Sequence, residues 1–151
     1  IVIPKMFGSE VKKDPGIRRP PTVIWDEKRF FAWIENEIGD KTIRDIIREL
    51  YEFTKNEGSR TPWPKAPTKF PAFNFYVREN SKDYSLYNFR GYGGGSIYFY
   101  GLNKRKQFRE DLQSIGLDIP ENAKEKEFKI DVFKEEVSLE DFKKVVKKLV
   151  R

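Results

Sequence analysis

Residues 70–101 read FPAFNFYVRENSKDYSLYNFRGYGGGSIYFYG, and the fold turns on how that stretch divides. Ten of the 28 residues from Phe73 to Tyr100 are aromatic, against 15% for the whole chain. Three runs, 73–78, 84–90 and 96–100, are separated by residues 79–83 and 91–95. Aromatic and β-branched residues favour pleated surfaces while Asn, Ser, Asp and Gly favour turns, so the stretch predicts three antiparallel strands. Alternation then gives Phe73, Phe75 and Val77 one face, matched by Ile97 and Phe99. The opposite face receives Asn74, Tyr76, Arg78, Tyr98 and Tyr100, with Tyr87 and Arg90 beside them. This pattern fits a sheet with a core face and a wet, contact-making face. It also fits a sheet covered on both sides whose tyrosines keep their hydroxyls at the edge.

Working outward, residues 59–71 (SRTPWPKAPTKFP) hold four prolines and cannot form regular structure. Trp63 sits there between Pro62 and Pro64, near Arg60, Lys65 and Lys69. It can offer a stacking surface or plug a hydrophobic gap. Before this loop, Asp26 caps a predicted helix carrying Phe30, Phe31, Ile34 and Ile38, stopped by Gly39. Asp40 starts a second, with Ile43, Ile46, Ile47, Leu50 and Thr54 at helical spacing up to Gly58. After the strands, residues 104–115 predict a helix burying Phe108, Leu112 and Ile115. Its first turn carries Lys104, Arg105 and Lys106, where cations oppose the helix dipole; they suit an anionic partner or plain solvation. Residues 126–133 alternate as a fourth strand, and Ser138 opens a last helix burying Phe142, Val145, Val146 and Leu149.

The expected fold is therefore α+β. It has two N-terminal helices, a three- to four-stranded mostly antiparallel sheet and two further helices packed on one side. Residues 1–21, with Pro4, Pro15 and the cations Lys12, Lys13, Arg18 and Arg19, read as a basic linker or arm. Residues 22–151 read as one domain, within the size range of a single core. The chain begins with Ile, which suggests a piece of a longer protein with other domains as neighbours.

Absences bound the chemistry. With no Cys and no His there is no thiol nucleophile, no imidazole base and no Cys/His zinc site. No disulfide can form, no apolar run approaches ~20 residues and no signal peptide is visible, so a cytoplasmic protein with no membrane partner is expected. A 36% charged fraction with a single Met resembles thermophile composition.

The net charge is +6, but it is unevenly spread. Residues 60–109 hold ten Lys and Arg against two Asp and Glu, whereas residues 26–59 and 110–151 are mildly acidic. Basic charge among exposed aromatics is what phosphates and base faces require. The leading expectation is a non-catalytic nucleic-acid-binding domain, DNA favoured over RNA, with no cofactor and no metal. Phosphate contacts fall to Arg60, Lys65, Lys69, Arg78, Arg90, Lys104, Arg105 and Lys106. Stacking falls to Trp63, Tyr76, Tyr87, Tyr92, Tyr98 and Tyr100.

Two alternatives stand beside it. A Tyr/Arg-rich face also suits a protein-interaction or oligomerisation module. A Mg²⁺-dependent nuclease would use Glu127 and Lys129, with Asp118 or Asp111 as a second ligand. The glycine run 91–95 lacks the Lys-Ser/Thr ending and following helix of a phosphate loop and reads as a hairpin.

The order of TVIWDEKRFF (22–31), two helices, GSIYF (95–99), FREDL (108–112), Ile119-Pro120 and a closing helix resembles a poorly characterised prokaryotic module of restriction- and defence-associated proteins. The likeness spans about residues 22–150. A Gly-Lys-Gly-like segment of that module is replaced here by Pro64-Lys65-Ala66-Pro67. The resemblance implies a nucleic-acid-linked role and assigns no site residue.

Overall fold

The computed structural model describes residues 21–91, 93–99 and 104–150. Tyr92, Tyr100 and the basic arm up to residue 20 lie outside the described residues. Asp26 accepts from Arg29 N at 2.8 Å and opens α1 (Glu27–Glu37). Asp40 accepts from Thr42 N and Ile43 N and opens α2 (Lys41–Glu57). The sheet follows, with β1 (Ala72–Glu79), β2 (Lys82–Arg90) and β3 (Gly94–Tyr98). Then come α3 (Arg105–Ser114), β4 (Glu125–Lys129), α4 (Val132–Glu135) and α5 (Leu139–Val150). The class is α+β, and the sheet runs β1-β2-β3-β4, antiparallel throughout.

Asn80 (φ 53°) and Ser81 (φ 65°) are both left-handed. That is the backbone of a type I′ two-residue turn, whose twist matches the flanking strands. The ladder pairs Phe73 with Phe89 and Phe75 with Tyr87, then slips, pairing Tyr76 with Ser85. Leu86 is the extra residue of this bulge. Without the bulge, alternation from Ser85 would point Tyr87 outward; with it, Tyr87 turns inward. The expectation that Tyr87 joins the wet face is thus corrected. Its ring is fully buried, stacks on Phe75 at 5.1 Å, and its hydroxyl bonds Thr54 Oγ1 at 2.8 Å. Removal from water leaves no solvation for a tyrosinate, so the hydroxyl's pKa is pushed up.

Ring contacts between helices and sheet fall on that same face. Phe30 of α1 meets Phe73 and Phe89, Phe53 of α2 stacks on Phe75, and Phe142 of α5 meets Tyr87. Each such ring contributes about 1.5–3 kcal/mol by leaving water.

The fourth strand is shorter than its alternation implied. β3 begins at Gly94, opposite Lys129, so residues beyond Ile130 have no strand to pair with. The chain instead coils into α4, which folds Phe133 back to 5.9 Å from Phe128 and 5.1 Å from Phe142.

Candidate nucleic-acid interface

β1 is an edge strand, and the proline-rich loop 59–71 is fastened along it. Ser59 N donates to Tyr76 O at 2.8 Å and Asn74 N donates to Pro62 O at 2.9 Å. Further along, Thr68 and Val23 exchange two backbone bonds of 2.9 Å. The prolines hold the loop extended, and these bonds give its course fixed points. Arg60, Lys65 and Lys69 consequently stand exposed on a pinned rather than a free segment. From Gly58 to Arg78 the chain carries no Asp or Glu at all.

The face of β1 beside this loop holds Tyr76, half-buried, with the Arg60 guanidinium 4.5 Å from its ring centroid. Arg78 points the same way but is held by Asp83, at 3.1 and 3.0 Å. The Arg78 partner, aided by Ser59 Oγ, keeps the Asp83 carboxyl below the usual carboxylate range.

Toward the middle of the sheet the same face becomes a closed polar network. Arg90 donates to Ser96 Oγ at 3.1 Å and lies 3.8 Å from Glu127. Ser96 Oγ donates to Glu125 at 2.8 Å, and Asn88 Nδ2 donates to the Tyr98 hydroxyl at 3.0 Å. Ser96 is fully buried although polar, because these neighbours satisfy it. Sequence reading missed this network. Its signal was the placement of Asn88 and Ser96 as direct cross-strand partners, which no composition argument exposes.

Two further expectations are corrected. Arg105 is not a phosphate contact. It is 5% exposed, and its guanidinium donates to the carbonyls of Tyr98 and Ser85. Those carbonyls lie just past the last β2–β3 partner pair, Tyr87 with Ile97, so Arg105 stitches two strands where their ladder ends. Trp63 is not a free stacking surface. Its ring packs 5.2 Å from Phe30 and 5.4 Å from Tyr51, and its indole N–H donates to the Tyr51 hydroxyl at 3.2 Å. Burial pushes the Tyr51 hydroxyl up to about 12, against the lowering effect of that indole bond.

The remaining cations are dispersed. Lys104 and Lys106 are exposed on α3, and Lys104 lines the α3–α5 groove with Lys148 rather than joining the sheet face. The structure thus brings Arg60 onto Tyr76 with Arg78 on the same face of β1, and carries Lys65 and Lys69 exposed further along the loop, where Lys69 lies beside Val23 and Trp33. It leaves Arg90 and Tyr98 in the network and separates the α3 lysines.

The glycine run is a hairpin: Gly93 has φ 83°, and a Cβ on Gly95 would lie 2.0 Å from Asn88 O. A hollow of about 680 Å³ opens beside it, with Arg90 and Lys129 facing Glu127 and Asp131. For the nuclease alternative, Asp111 is occupied by Lys148 at 3.1 Å, on the α3–α5 side. Among the described residues no three acidic groups gather where they could hold a metal ion. No helix among them is long and apolar enough to cross a membrane.

Comparison with known proteins adds no family: no family model, curated protein or solved structure matches this chain.

Proposed function

We propose that this chain is a non-catalytic nucleic-acid-binding domain, DNA favoured, whose phosphate-contacting surface is the proline-rich loop and the adjoining face of β1. The observation that carries this reading is the carboxylate-free run from Gly58 to Arg78, fastened along an edge strand with Arg60, Lys65 and Lys69 exposed. Cations on a pinned loop lose little freedom on binding, and each phosphate they neutralise releases condensed counterions. Tyr76, with the Arg60 guanidinium against its ring, is the aromatic best placed to meet a base. The chain enters the described region at Pro21 and Val23, beside Thr68 of the loop, so the basic residues 12–19 precede it closely in sequence. The resemblance noted in residues 22–31 and 95–99 favours a restriction- or defence-associated parent protein.

A second reading, a protein-interaction surface, draws support from the Arg78–Asp83 and Arg90–Glu127 pairs, which neutralise two of the arginines on the sheet's polar face. Salt separates the two. Labelled single- and double-stranded DNA and RNA, titrated at low and high salt, are expected to bind and then release. The triple variant Arg60→Ala, Lys65→Ala, Lys69→Ala should weaken every probe alike. No binding of any of the four at low salt rejects the proposal and leaves the interaction surface.

A further inference from the structure

The two edges of the sheet are treated differently. At β1 two of the outward backbone groups, Tyr76 O and Asn74 N, are taken by Ser59 and Pro62. At β4 two bonds fix the phase of the ladder: Phe99 N donates to Lys124 O at 2.9 Å and Ile130 N to Gly93 O at 2.6 Å. Alternate residues of an antiparallel pair bond across it, so Lys126 and Phe128 face β3. Glu125, Glu127 and Lys129 therefore turn their N–H and C=O groups away from the sheet. Among the described residues, none of these outward groups meets another backbone group.

A groove of about 340 Å³ runs beside this bare edge, floored in part by Leu117 and Val132. Its charged lining is five carboxylates, with Glu127 among them, against Lys126 and Lys129, a net acidic rim in a chain whose net charge is +6. Asp118, Asp131, Glu135 and Glu136 line it, and none of them forms an ion pair among the described residues. An open edge invites strand addition, and the charge beside it selects the addend. A second copy of β4, paired antiparallel about its centre, would match Glu125 with Lys129 but set Glu127 against Glu127 and bring the Asp118, Asp131, Glu135 and Glu136 rims of both copies together. Nucleic acid is repelled by the same carboxylates. A cationic polypeptide is not.

We infer that β4 is a docking edge for an extended, Lys/Arg-rich polypeptide segment, which adds as a fifth strand through the outward groups of Glu125, Glu127 and Lys129 while its cations meet Asp118, Asp131, Glu135 and Glu136. This inference is independent of the nucleic-acid reading, because it uses the opposite edge and the opposite charge.

The test is fluorescence anisotropy of the full chain with a labelled, end-blocked (Lys-Thr)₄ peptide, with (Glu-Thr)₄ as its counterpart. Lysine peptide binding is expected and glutamate peptide binding is not. Glu127→Pro removes an outward N–H without touching the β3 ladder and should weaken binding about tenfold, whereas Glu127→Ala should stay within about threefold. Should Glu127→Pro fail to fold, hydrogen exchange on the wild type decides: the amides of Glu127 and Lys129 must gain protection when the lysine peptide is added. Equal binding of both peptides overturns the inference. So does unchanged affinity in a folded Glu127→Pro variant, or absence of new protection at those amides. A concentration-dependent dimer that Glu127→Pro dissociates would give the edge to a second copy instead, and would equally overturn it.

Discussion

Arg105 shows how a single side chain can be read correctly for charge and wrongly for use. Its position in a cationic first turn was legible, but the two carbonyls awaiting it were not, because they belong to residues 7 and 20 positions away in strands whose ladder ends early. Arg105→Ala strands both carbonyls in a buried setting and is expected to cost about 3 kcal/mol, read as a lower urea midpoint. Arg105→Lys recovers part of that. Nucleic-acid affinity of the folded fraction should stay unchanged in both. Tyr87 was misplaced for a related reason: one inserted residue, Leu86, reverses every face downstream of it, and nothing in the local pattern marks the insertion. The two buried tyrosines also make an alkaline prediction. The Tyr51 hydroxyl ionises near its ordinary value of 10 once unfolded but near 12 when folded, so the unfolded chain releases its proton first. Stability from this group is intact below pH 10 and falls between pH 10 and 12, by up to ~1.4 kcal/mol per pH unit. Denaturant midpoints measured at stepped pH should show that fall, and Tyr51→Phe should make it shallower, the remainder belonging to Tyr87.

Helices α1, α2 and α5 were legible from caps and 3.6-residue spacing, since Asp26, Asp40 and Ser138 each bond the turn they precede, and α3, which has no side-chain cap, from spacing alone. Strand β4 was legible in kind but not in length, because its end is set by where β3 begins rather than by its own alternation. The glycine hairpin follows the same logic. Its composition predicted a turn, yet the need for glycine at position 95 comes from close approach of neighbouring strands. A Cβ at Gly95 would lie 2.0 Å from Asn88 O and 2.9 Å from Phe128 Cζ. Gly95→Ala is expected to cost about 4 kcal/mol or more and to disrupt pairing of β2, β3 and β4. Gly39→Ala is the control, since a Cβ there meets nothing within 4 Å. Its melting temperature should match that of the wild type.

Across the molecule, the basic residues 60–109 and the mildly acidic residues 110–151 meet in one sheet as two unlike edges. One is covered by a cationic, proline-stiffened loop; the other is bare and bordered by carboxylates. Charge counting located the first because Arg60, Lys65 and Lys69 lie close in sequence. It missed the second because Asp118, Asp131, Glu135 and Glu136 converge only once β4 and α4 are folded. The central face, read at first as one continuous contact surface, is largely occupied with its own ion pairs. The loop therefore carries the weight of the functional account. Its most direct test is the slope of log affinity against log salt for DNA, measured on the wild type and on the Arg60→Ala, Lys65→Ala, Lys69→Ala variant. If these three cations contact phosphates, the variant's slope should be shallower by about 2–3, as three lost contacts at ~0.7–0.9 each require. An unchanged slope and affinity would contradict the assignment of this loop to nucleic acid.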